Sequence, residues 1–202
     1  MRPIVISLLV CSIVILLFSV LSERGMMAQV MEKKVLMIIA HDGYRKEEFE
    51  VPLEMFKRSG ITATVASTSL DTATGYPNSS VKPDVLVKDA KADDFDAIVF
   101  IGGSGASVYW NDPNAHRIAQ KAAEQGKIVA AICIAPVTLA RAGLLQGKKA
   151  TVWPSEAGMI KDEGALYEKA KKGVVADGKI ITADGPASAS GFATAILEKL
   201  KE

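Results

Sequence analysis

Cys133 is the residue whose type and position most directly indicate chemistry. It closes the apolar run 128–132, and Pro136, a favoured first residue of a helix, follows three positions later. A nucleophile held between a strand and a helix sits in a strained, crowded turn with small residues two positions to either side, and here these are Ala131 and Ala135. The N-terminus of the helix should also lower the pKa of the thiol. The alternative is a buried structural cysteine, a common fate of free cysteines.

Glu48 is the candidate proton partner of this thiol. If residues 47–59 form a helix, at about 100° per residue, Glu48 falls inside the apolar arc and the other charged side chains fall outside it. A carboxylate turned toward the core is costly unless it is paired or protonated, which makes Glu48 a functional candidate. The projection requires a helix that includes residue 48. A helix that began at Pro52 would leave Glu48 in the preceding loop.

A glycine-rich stretch, Gly102 to Gly105, follows another apolar run. Glycines allow backbone N–H groups to approach a ligand closely, and Gly103 with Ile134 could supply the two donors of an oxyanion hole. The competing interpretation is a dinucleotide-binding loop. We disfavour it because the stretch lacks the last glycine of that motif and follows a late strand instead of the first.

The sequence gives weaker reasons to place three further side chains in the site. His41 ends the first apolar run and could border a pocket or simply occupy a turn, and Trp153 could form a pocket wall or part of the core. His116 falls in the first turns of a predicted helix and is expected to face solvent. No His, Cys and acidic residues cluster at ligand spacing, so the sequence predicts neither a metal nor a cofactor.

The elements that must position these residues alternate between strand and helix. Strands are predicted over 34–40, 61–67, 97–101 and 128–132, and helices over 47–59, 113–125, from Pro136 onward, and over 187–200. Residues 71–89 read as turns joining short edge strands, and Asp177-Gly178 predicts a hairpin. This alternation predicts an α/β doubly wound sheet with helices on both faces. In such sheets, sites gather beyond the carboxyl ends of the strands, where His41, Gly102 and Cys133 fall.

The first thirty residues differ in kind from the domain predicted over 31–202. The uncharged run 4–21 would span about 27 Å as a helix, close to the roughly 30 Å of a bilayer core. This run can be a membrane anchor or a cleaved signal peptide. It can also result from a start codon assigned too far upstream, since Met31 would itself be a natural first residue. The run is long for a secretory signal and lacks a small-x-small cleavage site, so we favour a membrane anchor. Translation from Met31 would give a cytoplasmic protein instead.

Charge and cysteine content narrow the function classes. The chain carries 24 basic and 23 acidic side chains, and Arg2, Arg24 and Glu23 lie in the first thirty residues, so the remainder has 22 of each and no net charge. This balance argues against a nucleic-acid partner. Cys11 lies in the apolar run, which leaves Cys133 as the single cysteine of the domain. An internal disulfide is therefore impossible there, which fits a reducing compartment without requiring one.

These motifs resemble those of the ThiJ/PfpI superfamily, relatives of class I glutamine amidotransferase domains. The resemblance covers nearly all of residues 32–202. The matching motifs are EEFE (47–50) before Pro52, the strand ending in two glycines, the elbow AICIAP (131–136), and Gly185-Pro186 before the last helix. It implies a flavodoxin-like sandwich that is usually a homodimer. It also implies that Cys133 is the reactive cysteine, that Glu48 is hydrogen-bonded to it, and that Gly103 and Ile134 are the backbone donors.

The function that this resemblance implies has several forms. Members include enzymes on reactive carbonyls, intracellular peptidases, stress chaperones and oxidation sensors. Peptidase-type members carry a histidine directly after the cysteine, and here that position is Ile134, which disfavours a peptidase or amidase. We expect a cysteine-dependent, glyoxalase- or deglycase-like enzyme that protects against small reactive carbonyls. The main alternative is a non-catalytic oxidation sensor or chaperone built on Cys133.

Overall fold

A computed structural model describes residues 33–170 and 172–202. The strands are β1 (Lys34–Ile38), β2 (Asp42–Arg45), β3 (Thr62–Ser67), β4 (Ala73–Tyr76), β5 (Ser79–Val81), β6 (Val85–Leu86), β7 (Ala97–Phe100), β8 (Ile128–Ile132), β9 (Lys149–Ala150), β10 (Leu166–Tyr167), β11 (Val174–Asp177) and β12 (Ile180–Ala183). The α-helices are α1 (Lys46–Arg58), α2 (Pro113–Glu124), α3 (Pro136–Arg141), α4 (Ala157–Asp162) and α5 (Ala189–Leu200).

A seven-stranded sheet forms the centre of the fold, in the order β11-β12-β8-β7-β1-β3-β6. Every neighbouring pair is parallel except β11 and β12, which form an antiparallel hairpin at one edge. The central strands β7 and β8 are buried along their whole length. Continuous apolar strands of this kind are stable only where helices cover both faces of a parallel sheet.

Two apolar layers cover the sheet. On one face, α1 and α5 pack together and contribute Phe49, Phe56 and Phe192 to the core. On the other face, α2 and α3 supply small and branched side chains such as Ile118 and Leu139. The prediction of a flavodoxin-like α/β sandwich with a mainly parallel sheet is confirmed.

The predicted elements agree closely with those observed, and the differences are short pieces. The predicted hairpin forms around Asp177, with Gly178 at a φ of 64°. The last helix begins at Ala189, after a single 3-10 turn. The strand β2 and the helix α4 had no signal in the sequence. A small sheet, in the order β2-β4-β5, lies beside the central one.

Helix α1 begins at Lys46 and runs through Pro52. It therefore includes Glu48, and the possibility that the helix starts at Pro52 is wrong. Pro52 has no N–H to donate to the carbonyl of residue 48, so the helix gives up one internal hydrogen bond at this point. The proline ring is buried, as are Glu48, Phe49 and Phe56 on the same face.

The membrane-anchored location predicted from the sequence needs correction. Across 33–170 and 172–202, no helix has both the length and the apolar character needed to cross a bilayer. This finding contradicts the transmembrane assignment and the membrane partner that came with it. The apolar run over 4–21 itself lies outside the described residues, as does the whole segment 1–30.

Candidate active site

Cys133 occupies a strained turn directly after β8. Its φ is 64°, in the left-handed region that costs an L-residue with a side chain roughly 1–2 kcal/mol. Such strain persists only where surrounding contacts fix it. Here the Cys133 N–H donates to the Ala183 carbonyl at 2.9 Å, and the Cys133 carbonyl accepts from the Trp153 N–H at 2.8 Å. Ala131 and Ala135 are both buried, as the crowding of this turn requires.

Gly102, at the end of β7, lies against this turn. A Cβ at residue 102 would be 2.5 Å from the Cys133 Cβ, 2.5 Å from the Glu48 Oε2 and 2.7 Å from the Ile132 carbonyl oxygen. All three are closer than non-bonded atoms can approach. Glycine at this position therefore allows the thiol and the carboxyl to share one small space.

Glu48 is fully buried, and helix α1 turns it toward Cys133. Neither carboxyl oxygen has a well-formed hydrogen bond to another part of the described chain. Burial raises the pKa of Glu48 to about 7, against smaller lowering effects from Cys133, the Gly102 backbone and the Arg45 charge. The carboxyl is thus present in both protonation states near neutral pH, which suits a group that accepts and returns a proton.

The Cys133 thiol is itself almost fully buried, with 9% of its surface exposed. Burial, together with the nearby charge of Glu48, raises the pKa of the thiol to about 12. The sequence predicted a lowered pKa from the helix that follows, and that expectation is wrong. Burial in an apolar site is the largest effect on this thiol, and it outweighs the backbone N–H groups of Gly103 and Ile134, which lower its pKa.

Two backbone N–H groups face the sulfur. Those of Gly103 and Ile134 act on Cys133 as hydrogen-bond donors that lower the thiol pKa, against the larger raising effects. Gly103 has a φ of 98°, and a Cβ there would be 2.4 Å from both the Arg45 nitrogen and the Gly43 carbonyl oxygen. The glycine lets this loop approach β2 closely. Donors arranged in this way could hold negative charge developing on an oxygen beside the sulfur.

A cleft of about 690 Å³ opens above the pair. Its walls include the aromatic residues Tyr76, Trp110 and Trp153. The polar part of the lining includes three serines and two charged residues, which are Ser104, Ser107, Ser155, Arg45 and Glu156. Arg45 makes an ion pair with Glu47, Nε to Oε2 at 2.7 Å, and its guanidinium lies 5.3 Å from the centre of the Tyr76 ring.

The candidate residues separate into two groups by position. Cys133, Glu48, Gly103, Ile134 and Trp153 line the cleft, and Gly102 lies just beneath it. Trp153 is 43% exposed and forms wall, not core.

The two histidines lie elsewhere. His41 is half-buried at the end of β1 and is absent from the cleft lining. His116 does not face solvent as expected: it is half-buried, and its Nε2 lies 2.9 Å from the Trp110 carbonyl oxygen. Because a carbonyl only accepts, this nitrogen carries the proton. Within the described ranges, no three His, Cys, Asp or Glu residues are grouped so as to hold a metal ion.

Several cleft residues had no signal in the sequence. Arg45 arrives on β2, a strand that could not be predicted, and Tyr76 arrives on the edge strand β4. Trp110 follows the glycine-rich stretch by five positions, and its place after the carboxyl end of a predicted strand is the one clue that could have identified it.

Comparison with known proteins agrees with this geometry. The family model described as the DJ-1/PfpI family matches residues 33–199. An uncharacterized protein of Methanocaldococcus jannaschii is 38% identical over 172 residues, covering 84% of this chain and 83% of that protein. A protein of Pyrococcus horikoshii named as a deglycase is 32% identical over 170 residues, covering 83% of this chain and 99% of its own length. The crystal structure of a ThiJ/PfpI domain protein from Brachyspira murdochii superposes with a TM-score of 0.80 at 29% identity, covering 83% of this chain and 95% of that one.

The fold and the cleft define a flavodoxin-like protein with a cysteine at the strand-to-helix turn. The chain belongs to the DJ-1/PfpI family. Homologues named as deglycases, at about 30% identity, support a deglycase-like role. Proteins of this family are typically homodimeric, which supports a dimer for this chain.

Proposed function

We propose that this protein is a cysteine-dependent enzyme acting on small reactive carbonyls, such as 2-oxoaldehydes, or on their adducts. The observation that carries the proposal is the buried pair of Cys133 and Glu48 at the floor of an open cleft, with a carboxyl whose pKa of about 7 allows proton transfer in both directions. The names of several relatives support the same substrate class.

The proposed first step forms a bond between the Cys133 sulfur and the carbonyl carbon of the substrate. The carbonyl π electrons move to oxygen, and the thiol proton moves to the Glu48 carboxylate as the C–S bond forms. Because the pKa of the free thiol is high, we expect the two events to be coupled, with no free thiolate beforehand.

The oxyanion formed in this step lies where the N–H groups of Gly103 and Ile134 can donate to it. Glu48 then returns its proton to that oxygen, which gives a neutral hemithioacetal on Cys133. Atoms and charge balance without a metal or an external oxidant. Glu48 is restored to the carboxylate for the next proton transfer.

The test is turnover of methylglyoxal by a protein that starts at Met31, compared with the variants Cys133→Ser and Glu48→Gln. We expect Cys133→Ser to lose turnover and Glu48→Gln to fall roughly 100-fold or more, as typical of a lost general base. Lys57→Gln, an exposed change on the same helix as Glu48, is the control and should retain the full rate. Full activity in Cys133→Ser would rule out the mechanism.

The second candidate is an oxidation sensor, which one observation favours. The Glu48 carboxyl has no well-formed hydrogen bond within the described chain, so its protonated form has a donor free to bond an oxygen placed on Cys133. Treatment with mild peroxide separates the two functions. A sensor should gain two oxygen atoms on Cys133 by mass spectrometry and keep its fold, whereas an enzyme should lose turnover in step with oxidation.

A further inference from the structure

Three hydrogen bonds with more distant residues hold three successive peptide groups around Cys133 and Ile134. The Cys133 N–H donates to Ala183 at 2.9 Å, and the Trp153 N–H donates to the Cys133 carbonyl at 2.8 Å. Both of these are backbone interactions that most substitutions would leave intact. The third comes from a side chain, since Trp110 Nε1 donates to the Ile134 carbonyl at 3.2 Å.

Ile134 therefore connects the reactive sulfur with Trp110. Its backbone N–H lies on the side of Cys133, and its carbonyl accepts the hydrogen bond from the Trp110 indole. Its N–H lies close enough to the Cys133 sulfur to lower the pKa of the thiol. Its carbonyl also accepts the Val137 N–H at 3.3 Å, in the first turn of α3. Both bonds to this carbonyl are at the long end of the normal range, so neither alone is a strong restraint. Losing the Trp110 bond leaves one long bond to fix the carbonyl.

Trp110 is itself held at two points, its indole ring and its backbone carbonyl. The Arg141 guanidinium lies 5.6 Å from the ring centre, and its Nη1 donates to Asn111 Oδ1 at 2.7 Å. The His116 Nε2 donates to the Trp110 carbonyl at 2.9 Å. A residue restrained at its ring and at its backbone can in turn fix the group that it contacts, as supporting residues do around metal and catalytic sites.

We propose that Trp110 is a positioning residue that holds Ile134 so that its N–H points at the reacting atoms. Trp110 acts through Ile134, and its catalytic meaning rests on the proposed function. Its effect on the thiol does not, because the Ile134 N–H also faces the sulfur in the absence of substrate. The inference can therefore be tested whether or not the protein turns over carbonyls.

The experiment compares Trp110→Phe with Trp153→Phe. Both remove an indole from the cleft wall, but Trp153 holds the elbow through its backbone N–H, which phenylalanine keeps. The first readout is the rate of Cys133 alkylation by iodoacetamide across pH, with the thermal midpoint of each variant recorded. The second is kcat and KM for methylglyoxal.

We expect Trp110→Phe to lower the alkylation rate at fixed pH by roughly threefold to tenfold, the size of one lost hydrogen bond. It should lower kcat by a similar factor with KM changed less than twofold. Trp153→Phe changes the cleft wall but removes no hydrogen bond from the elbow, so its effect on the alkylation rate should be at least threefold smaller than that of Trp110→Phe. If the two variants change the alkylation rate equally, or if neither does, the positioning role is wrong.

Two further outcomes remain informative. If Trp110→Phe fails to fold, benzothienylalanine incorporated in the Trp153→Phe background replaces the Trp110 N–H with sulfur at nearly constant shape, and the same fall in alkylation is expected. If neither the parent protein nor any variant turns over methylglyoxal, but Trp110→Phe alone slows alkylation, the proposed function fails and the positioning role stands. If the parent protein turns over methylglyoxal and Trp110→Phe does not change the alkylation rate, the positioning role fails and the proposed function stands.

Discussion

The Glu48 carboxyl and the Gly102 backbone are so close that a Cβ at residue 102 would be 2.5 Å from Glu48 Oε2. The same Cβ would be 2.5 Å from the Cys133 Cβ. Gly102 thus sets the distance between the thiol and the Glu48 carboxyl. Its φ lies outside the left-handed region, so the requirement for glycine is one of space alone.

The substitution Gly102→Ala should separate the pair. The added methyl group must displace the carboxyl, the thiol or the strand, and such overpacking typically costs about 1–3 kcal/mol of unfolding free energy. We expect lower denaturant stability and slower Cys133 alkylation. Gly126→Ala is the control for a glycine change, since a Cβ there meets nothing within 4 Å, although its φ of 67° carries strain of its own. Unchanged alkylation in Gly102→Ala would show that this contact does not position the pair.

Burial of Glu48 should make stability depend on pH in a definite direction. Its pKa rises from 4.5 to about 7 on folding, so the folded state binds the proton more tightly than the unfolded state. The stability this contributes is fully present below pH 4.5 and is lost as pH rises through about 7. The full difference is on the order of 3 kcal/mol.

Glu48→Gln removes this dependence because glutamine does not titrate. We expect its unfolding free energy, relative to that of the parent protein, to increase between pH 4.5 and pH 7. Urea denaturation at several pH values measures the difference. Glu54→Gln, an exposed change of the same type on the same helix, should show no such trend. A constant difference for Glu48→Gln would mean that Glu48 does not carry a raised pKa.

The main elements and the two central residues could be predicted because their signals are local. Continuous apolar runs mark β1 and β8, and two alanines around Cys133 mark the elbow before any tertiary contact is known. Glu48 was identifiable from its place on one face of a helix. In each case, nearby residues along the chain carry the information.

The remaining parts of the site depend on contacts between distant segments. The strand β2 reads DGYR and gains its conformation by pairing with β4, some thirty residues later, so Arg45 could not be placed in the cleft. The direction of the shift in the Cys133 pKa was predicted wrongly for a related reason. The position of the following helix can be predicted from sequence, but the burial of the thiol, which has the larger effect on its pKa, arises from packing between distant segments.

The left-handed backbone of Cys133 predicts an unusual order of stability among substitutions. Glycine adopts a φ of 64° without the steric cost that a Cβ imposes, which is roughly 1–2 kcal/mol. Cys133→Gly should therefore be at least as stable as Cys133→Ala, although glycine elsewhere is usually less stable than alanine. Thermal unfolding of the two variants measures the order. A clearly more stable alanine variant would argue that the elbow carries no strain.

The charge of Glu48 should also be visible in the titration of the thiol. After burial, that charge is the second cause that raises the pKa of Cys133, and Glu48→Gln removes it. We therefore expect the pH midpoint of Cys133 alkylation to move downward in Glu48→Gln and to stay in place in Glu54→Gln. A midpoint that moved upward would carry a different meaning: Glu48 would then be protonated throughout the range and would stabilise the thiolate by donating a hydrogen bond. The proton that reaches the substrate oxygen would in that case begin on Glu48, and the order of the proton transfers in the proposed mechanism would be reversed.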